Sequence, residues 1–218
     1  MSASSILGLE RTTLRDRAVV ALRSAIISGE LEQGAHVSEV DMAARLGISR
    51  GTLREAMRTL ELEGLLTPGP RGRLLVRRMS EPELVGLFQV RSALEALAVS
   101  LLAAREDRTA LVETLASAAQ AMAPDKSKSL NDRMLADLDF HRELCRLTGN
   151  DSLVRAWEGL VASIQMSITH AGVDRALENI NVERHLDIVR AIETGDVGEA
   201  TDAVESHMRA AVGVLTTS

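Results

Sequence analysis

The chain has 218 residues, of which 45% are hydrophobic and 26% charged, and its formal net charge is −6. This composition is typical of a soluble globular protein with one or two domains. No uncharged apolar run approaches the roughly 20 residues of a bilayer-spanning helix, and no secretory pattern begins the chain. The single cysteine, Cys145, excludes an intramolecular disulfide. We therefore expect a cytoplasmic protein with no membrane partner.

The charge is unevenly distributed along the chain. Residues 1–78 contain 12 arginines and 9 acidic residues, a net charge of +3, whereas residues 79–218 have a net charge of −9. A basic segment attracts nucleic acid and an acidic one repels it. This asymmetry, with a helix-start signal at residues 79–83, predicts two domains, 1–78 and 79–218, with DNA contact confined to the first.

Two short helices are predicted on either side of a tight turn. Ser38 and Ser49 are favourable N-caps, and Gly47 can take the left-handed conformation that ends a helix. About three residues then separate the helices, as a helix-turn-helix requires. The predicted apolar face of the first helix consists of Val40, Ala43, Ala44 and Leu46; that of the second consists of Leu53, Ala56, Met57 and Leu60.

The second of these helices has the features of a DNA-recognition helix. Arg50, Arg54 and Arg58 form a stripe with i, i+4, i+8 spacing. Its N-terminal end, with Ser49 and Thr52, is the part that would enter the major groove. Arginine there can bind phosphates or form two hydrogen bonds to guanine.

A short β-wing is predicted after Gly64. Strands over residues 65–67 and 74–76 flank a proline- and glycine-rich turn at 68–72. Arg71 and Arg73 would lie at its tip, where a wing meets the DNA backbone or minor groove. The alternative for all of these arginines is a solvated face on an ordinary helical domain.

Residues 12–78 resemble the winged-helix domain of the GntR family of bacterial transcription regulators. The matching motifs are Ile27-Ser28-Gly29-Glu30-Leu31, Gly34, Leu46-Gly47-Ile48-Ser49-Arg50, Leu53-Arg54-Glu55-Ala56 and Leu60-Glu61-x-Glu63-Gly64-Leu65. The resemblance implies that Arg50, Thr52, Arg54 and Gly72 occupy DNA-contacting positions. Val40 replaces an arginine and Gly51 a threonine of other members, and these departures concern which operator sequence is read.

Beyond the junction the sequence predicts helices and no strands. Helical periodicity runs through residues 83–105, 108–122, 129–148, 151–171, 174–194 and 196–215. The predicted fold is therefore mainly α, a winged helix-turn-helix followed by an all-α helical bundle whose interior can hold a ligand.

Three histidines of this second domain lie on apolar helix faces. They are His141, His185 and His207, and Asp137 precedes His141 by one helical turn, so that both side chains point the same way. Imidazole nitrogen and carboxylate oxygen are good ligands for Zn²⁺ and related ions. The alternatives are hydrogen-bonded core histidines and a simple Asp137–His141 pair. We expect His170, near a helix end, to be a surface residue or a partner of the helix dipole.

The second domain resembles the FCD effector domain of the FadR branch of GntR regulators. The matching residues are Arg91-x-x-Leu94-Glu95, Asp137-x-x-Phe140-His141-x-x-Leu144, Gly149-Asn150, His185-x-x-Ile188, Gly195-Asp196 and His207. The resemblance implies that Asp137, His141, His185 and His207 hold a divalent ion, zinc first, with nickel or manganese as alternatives. A six-coordinate ion would retain positions for water or a small carboxylate effector.

Arg91 is the candidate for binding that effector anion. Its alternatives are an i, i+4 pair with Glu95 or a contact with another subunit.

These observations predict a cytoplasmic, ligand-responsive, DNA-binding transcription regulator that acts as a repressor. They do not predict an enzyme. Its partners would be a double-stranded DNA operator, a small organic acid and a second copy of the chain, since one recognition helix reads only a short half-site. One alternative is a metal-sensing regulator without an organic effector. Another is a metal-dependent hydrolase with a DNA-binding appendage, although the sequence has no HExxH motif and no obvious Ser/His/Asp set.

Overall fold

The structure is a computed structural model that describes residues 13–216 apart from 126, 128, 172–174 and 176–179. It divides into two compact units, residues 1–77 and 78–218, each of which is considered by itself.

The first unit is a helical domain with a small antiparallel hairpin. Its elements are α1 (Leu14–Ile27), α2 (Glu39–Leu46), α3 (Arg50–Leu62), β1 (Leu66–Pro68), a 3-10 turn (Pro70–Gly72) and β2 (Leu74–Val76). Thr67 pairs with Leu75 at the middle of the hairpin, and the backbone of residues 34–37 hydrogen-bonds to β2 as well. The helix-turn-helix and wing therefore have the predicted order.

Local capping explains where the two central helices begin and end. The Ser38 side chain accepts from the Asp41 N–H, and the Ser49 side chain accepts from the Thr52 N–H. Gly47 has a φ of +64°, the left-handed conformation that ends α2. The core forms where α1 packs against α3, and it contains Ala18, Val19, Leu22, Ile26, Leu53, Ala56, Met57 and Leu60.

The predicted apolar face of α2 was partly wrong. Ala43 is buried, but Ala44 is exposed and Val40 is 60% exposed. The reason is that this eight-residue helix packs chiefly against α3, so only a narrow strip of its surface is covered.

The second unit is a bundle of long helices. They are α4 (Glu81–Ala103), α5 (Thr109–Gln120), α6 (Leu130–Leu147), α7 (Asp151–Ala171), α8 (Val182–Thr194) and α9 (Val197–Thr216). Helix α4 contacts α6, α7, α8 and α9, and so places its buried side chains at the centre of the bundle.

One predicted helix is not continuous. The interval 174–194 was predicted to be helical, and residue 175 is, but residues 180–181 are not, and α8 begins at Val182. The Asn181 side chain accepts from the N–H groups of Glu183 and Arg184, and this cap fixes the start of the helix. Residues 174 and 176–179 of the predicted interval lie outside the described residues.

Helix α4 is long and apolar enough to cross a membrane by length and composition alone. However, Arg91 and Glu95 lie in its middle and are 1% and 0% exposed within the bundle. A buried ion pair at the centre of several packed helices is the arrangement of a core helix. The side of α4 away from this pair carries the exposed apolar residues Val90, Leu97 and Leu101.

Candidate functional site

The predicted DNA-reading residues lie at the surface of the first unit. Arg50, Arg54 and Arg58 are exposed on α3. Ser49 and Thr52 mark the N-terminal end of this helix, where their hydroxyl oxygens are 2.9 Å apart and therefore hydrogen-bonded. The exposed arginines give α3 the positive surface that a phosphate backbone attracts.

Arg54 is held by an acidic partner on the preceding helix. Its Nε lies 3.0 Å from Glu39 Oε1, and its Nη2 lies 2.7 Å from Glu39 Oε2. This two-point contact between α2 and α3 had no signal in the sequence, because the partners are 15 residues apart on different helices.

The wing tip is a tight, exposed turn. Arg71 and Gly72 have φ values of +62° and +71°, both in the left-handed region. A side chain at Gly69 would meet the Leu75 side chain at 2.7 Å, so Leu75 would have to shift to accommodate it. Gly72 and Arg73 line one open groove together with Arg54 and Arg58, so the wing and α3 share a basic surface.

In the second unit, three histidines from three helices converge. His141 on α6, His185 on α8 and His207 on α9 are each at most 5% exposed, and their ligand atoms all lie within 4.8 Å of one another. The sequence predicted that these side chains point toward the core, and the structure shows that they also lie close to one another.

In two of these rings, Nδ1 forms a hydrogen bond with a residue outside the group of three histidines. His141 Nδ1 lies 2.5 Å from Glu95 Oε2, and His185 Nδ1 lies 2.7 Å from the carbonyl oxygen of Asn181. Both partners are acceptors, so each ring donates from Nδ1 and leaves Nε2 unprotonated. The two Nε2 atoms are 3.2 Å apart, and two lone pairs facing one another at this distance are unfavourable unless a cation lies between them.

Asp137 lies beside this group of three histidines. It is 1% exposed, and its Oδ1 lies 3.0 Å from His185 Nε2. This contact falls short of good hydrogen-bond geometry, and neither carboxylate oxygen, nor His207 Nδ1, has another hydrogen-bond partner among the described residues. The alternative of a direct Asp137–His141 pair is therefore wrong, since His141 bonds to Glu95 instead.

These features fit a bound divalent cation. Two ligand atoms that each lie about 2.1 Å from one ion are about 3.0–3.4 Å apart at tetrahedral or octahedral angles. The distances from His185 Nε2 to His141 Nε2, 3.2 Å, and to Asp137 Oδ1, 3.0 Å, fall in this range. A cation would also satisfy the buried oxygens and nitrogen that have no other partner.

The electrostatics of the cluster favour the metal-binding forms of its side chains. Burial by itself would raise the pKa of Asp137, but contact with His185 and the nearby charges lower it to about 2. Burial, followed by the charge of Arg91, lowers the pKa of His141, and burial with the neighbouring imidazoles lowers that of His207 well below its usual value. A carboxylate and neutral imidazoles are the forms that bind metal ions.

A buried network supports His141 from α4 and α7. Glu95 Oε1 accepts from Arg91 Nε at 2.8 Å and from Trp157 Nε1 at 2.9 Å. Burial opposes ionisation of Glu95, but its interactions with His141 and Arg91 lower its pKa to about 2. Sequence reasoning considered Glu95 only as a partner of Arg91 and missed Trp157, because these contacts join different helices.

Arg91 pairs with Glu95 and also retains an unused donor. Its Nη2 is buried and has no hydrogen-bond partner among the described residues. The charge of Arg91 lowers the pKa values of Asp137, His141 and His207, which places it electrostatically beside the cluster. His170, by contrast, is exposed, and its Nδ1 lies 2.6 Å from the Met166 carbonyl oxygen.

Comparisons with known proteins agree with this architecture. Residues 7–76 match the family described as bacterial regulatory proteins, gntR family, and residues 86–210 match the FCD domain. A solved GntR-type transcriptional regulator from Rhodococcus sp. RHA1 has the same fold, with a TM-score of 0.71 at 23% identity, covering 92% of this chain and 96% of the other.

Two relatives bear descriptive names. The chain is 34% identical over 204 residues to a protein of Paenarthrobacter nicotinovorans named "Probable D-xylose utilization operon transcriptional repressor", covering 93% of this chain and 88% of the relative. It is 27% identical to the "Gluconate operon transcriptional repressor" of Bacillus licheniformis, covering 86% and 79%. The family and these relatives are regulators, not enzymes. The chain therefore belongs to the GntR family of bacterial transcription regulators, with a helical FCD domain following its winged helix.

Proposed function

We propose that this regulator is a repressor whose DNA affinity responds to a small carboxylate bound at a metal centre. Residues 1–78 would bind the operator, and residues 79–218 would hold the effector and form the dimer. The convergence of three buried imidazoles, with the buried Asp137 carboxylate against one of them, carries this proposal. A core without a ligand would leave these polar groups uncompensated.

The operator-binding surface would consist of Ser49, Arg50, Thr52 and Arg54 at the start of α3, with Arg71 and Gly72 on the wing. Exposure of the arginines and the groove shared by α3 and the wing support this assignment. Arginines near the end of a recognition helix supply both phosphate contacts and base readout.

Asp137, His141, His185 and His207 would hold the metal. Three nitrogens and one oxygen suit zinc first, with nickel or manganese as alternatives. When bound, the ion supplies a Lewis-acid site for a carboxylate. Glu95 would hold the His141 ring in its ligating tautomer, and Arg91 would offer the effector anion its Nη2, which has no hydrogen-bond partner among the described residues.

A small organic acid fits this site because Arg91 and a cation would both attract negative charge. The names of the relatives refer to the operons that they regulate, one for gluconate, a carboxylate, and one for D-xylose, a neutral sugar, so the proposed ligand class rests on the site alone. Effector binding would shift the equilibrium between forms of the dimer that fit and misfit the operator.

We propose that the protein works in the cytoplasm as a homodimer. An operator with two half-sites requires two recognition helices. The exposed apolar residues Val90, Leu97 and Leu101 recur along one side of α4, and this stripe suits burial against a second copy.

The operator-binding assignment is tested with Arg50→Ala. The probe is the duplex with the highest affinity recovered by selection from a random-sequence library with the wild-type protein. Loss of this contact should cost about 1–3 kcal/mol of binding free energy. Arg209→Ala, which removes an exposed arginine of α9, is the matched control and should bind like the wild type. Equal affinity of both variants would refute the recognition-helix assignment.

The alternative of metal sensing without an organic effector predicts a different response. DNA affinity would then change when zinc, nickel or manganese is added, and a panel of small carboxylates including gluconate would have no further effect. A carboxylate that changes affinity only in the metal-loaded protein would favour the effector proposal.

A further inference from the structure

We propose that Glu39 is a positioning residue for DNA reading, which holds the Arg54 guanidinium and limits it to one bonding edge. This inference rests on the proposed function of α3 as the recognition helix. It assigns a role to an acidic residue within a surface otherwise expected to attract phosphates.

The geometry of the pair supports this role. A guanidinium has two edges that can form paired hydrogen bonds, one through Nε and Nη2 and the other through Nη1 and Nη2. Glu39 accepts along the first edge, at 2.7 to 3.1 Å. In the described part of the chain, Arg54 Nη1 has no hydrogen-bond partner, so the second edge remains open.

Both side chains are accessible to a ligand. Arg54 is 58% exposed and Glu39 is 34% exposed, and both line the groove between α3 and the wing. Their contact is therefore not a buried interaction whose only role is to stabilise the fold. It lies where DNA would approach.

The position of Glu39 explains why the carboxylate stays charged there. It is the first residue of α2, where the N-terminal end of the helix dipole favours an anion. The hydrogen bond from Arg54 lowers the pKa of Glu39, and the charges of Arg54 and Arg50 lower it further. Glu39 therefore reduces the positive potential of two arginines that are candidates for DNA contact.

Two consequences follow for DNA binding. A long arginine side chain that is free can bind any phosphate, whereas one fixed with a single open edge suits paired hydrogen bonds to guanine. The Glu39 charge also repels the backbone of every sequence, but only at the operator would the paired hydrogen bonds of the fixed Arg54 edge to guanine offset this repulsion. Glu39 should therefore weaken binding to random DNA more than binding to the operator, and so raise specificity.

The test compares Glu39→Gln with the wild type on two duplexes of equal length. One is the duplex recovered by selection described above, and the other is a scrambled version of it. Glu39→Gln should bind the scrambled duplex about fivefold more tightly, the size of effect expected for one exposed charge pair. The slope of log affinity against log salt should steepen by about 0.9 for each phosphate gained. The ratio of selected to scrambled affinity should fall.

The matched control is Glu30→Gln. Glu30 also pairs with an arginine 15 residues away, Arg45, at 2.8 Å, but that arginine is not on α3. This control should leave both affinities and the salt slope unchanged. The inference is wrong if Glu39→Gln behaves like Glu30→Gln. It is also wrong if Glu39→Gln binds both duplexes more weakly by the same factor and the protein's melting temperature falls, because Glu39 then only stabilises the fold.

A different result would overturn the proposal that α3 is the recognition helix. If wild type and Arg50→Ala bind both duplexes equally, α3 does not read sequence, and the role of Glu39 falls with it. If Arg50→Ala loses selectivity while Glu39→Gln keeps it, only the inference about Glu39 is overturned.

Discussion

The hydrogen bonds at Nδ1 decide which ring nitrogen of two buried histidines faces the cluster. Glu95 pairs with Nδ1 of His141, and the Asn181 carbonyl pairs with Nδ1 of His185. The two Nε2 atoms then face one another, 3.2 Å apart, where they could act as ligands. Residues that hold a ligand's second nitrogen commonly matter for metal affinity nearly as much as the ligand itself.

Glu95→Gln tests this arrangement by replacing the carboxylate oxygen that faces His141 with an amide nitrogen. The glutamine oxygen can still accept from Arg91 and Trp157, but its amide nitrogen would donate to His141 Nδ1 and move the ring proton to Nε2. Metal affinity should fall by about 10- to 100-fold, measured by competition with a zinc chelator. The control Glu205→Gln removes an exposed carboxylate on α9. Equal zinc affinities in the two variants would show that Glu95 does not orient His141.

Helix ends position several of the elements in the second unit. Gly195 ends α8 with a φ of +79°, and a side chain there would meet Arg108 Nη2 at 2.7 Å. Arg108 hydrogen-bonds to the carbonyl oxygens of Glu193 and Ala103, so it links the end of α8 to the end of α4.

We expect Gly195→Ala to lower the free energy of unfolding more than Gly149→Ala. Gly149 has a similar φ of +73° but no atom within 4 Å of the added methyl group. The control should therefore cost only about 1–2 kcal/mol for the left-handed conformation. Gly195→Ala should cost at least about 1 kcal/mol more, because it displaces Arg108 from its carbonyl partners. Urea titration measures the free energy of unfolding of both variants. Equal decreases would mean that Arg108 moves without a loss of stability.

The exposed stripe of α4 leads to a prediction about assembly. Leu97→Glu would place a charge in the middle of the proposed dimer contact, and the dissociation constant should rise by at least tenfold. Leu135→Glu is the control, since Leu135 on α6 is 40% exposed and Leu97 is 45% exposed. Sedimentation velocity measures the assembly state of each. A wild-type monomer, or dissociation by Leu135→Glu alone, would contradict the assignment of the dimer to α4.

Much of this architecture could be predicted because its signals are local. Ser38, Gly47 and Ser49 act within a few residues of the backbone that they cap. The helical period likewise directed His141, His185 and His207 toward the core, where they are found.

The remaining features depend on contacts between elements distant in sequence. The distance between His141 and Glu95 depends on how α6 packs against α4, 46 residues earlier. Exposure of Val40 depends on how little of α2 is covered by α3. The non-helical residues 180–181 depend on the Asn181 cap, which starts a new helix at Val182 within the predicted interval.

At the scale of the whole molecule, the chain combines a basic DNA-binding unit with an acidic helical unit that contains a buried polar cluster. Family membership assigns the chain to transcription regulation and excludes the hydrolase alternative. Regulation by a carboxylate, as proposed, requires that Asp137 and the three histidines hold a divalent ion. Without that ion, the effector proposal loses the site on which it rests.

The most direct test is elemental mass spectrometry of the untagged, purified full-length chain. Wild type and the exposed-histidine control His170→Ala should each contain about one divalent metal ion per chain, as one four-ligand site requires. A double variant with Asp137→Asn and His141→Gln should contain almost none. A wild-type protein without metal after incubation with Zn²⁺, Mn²⁺ and Ni²⁺, or a double variant with unchanged metal content, would contradict the account.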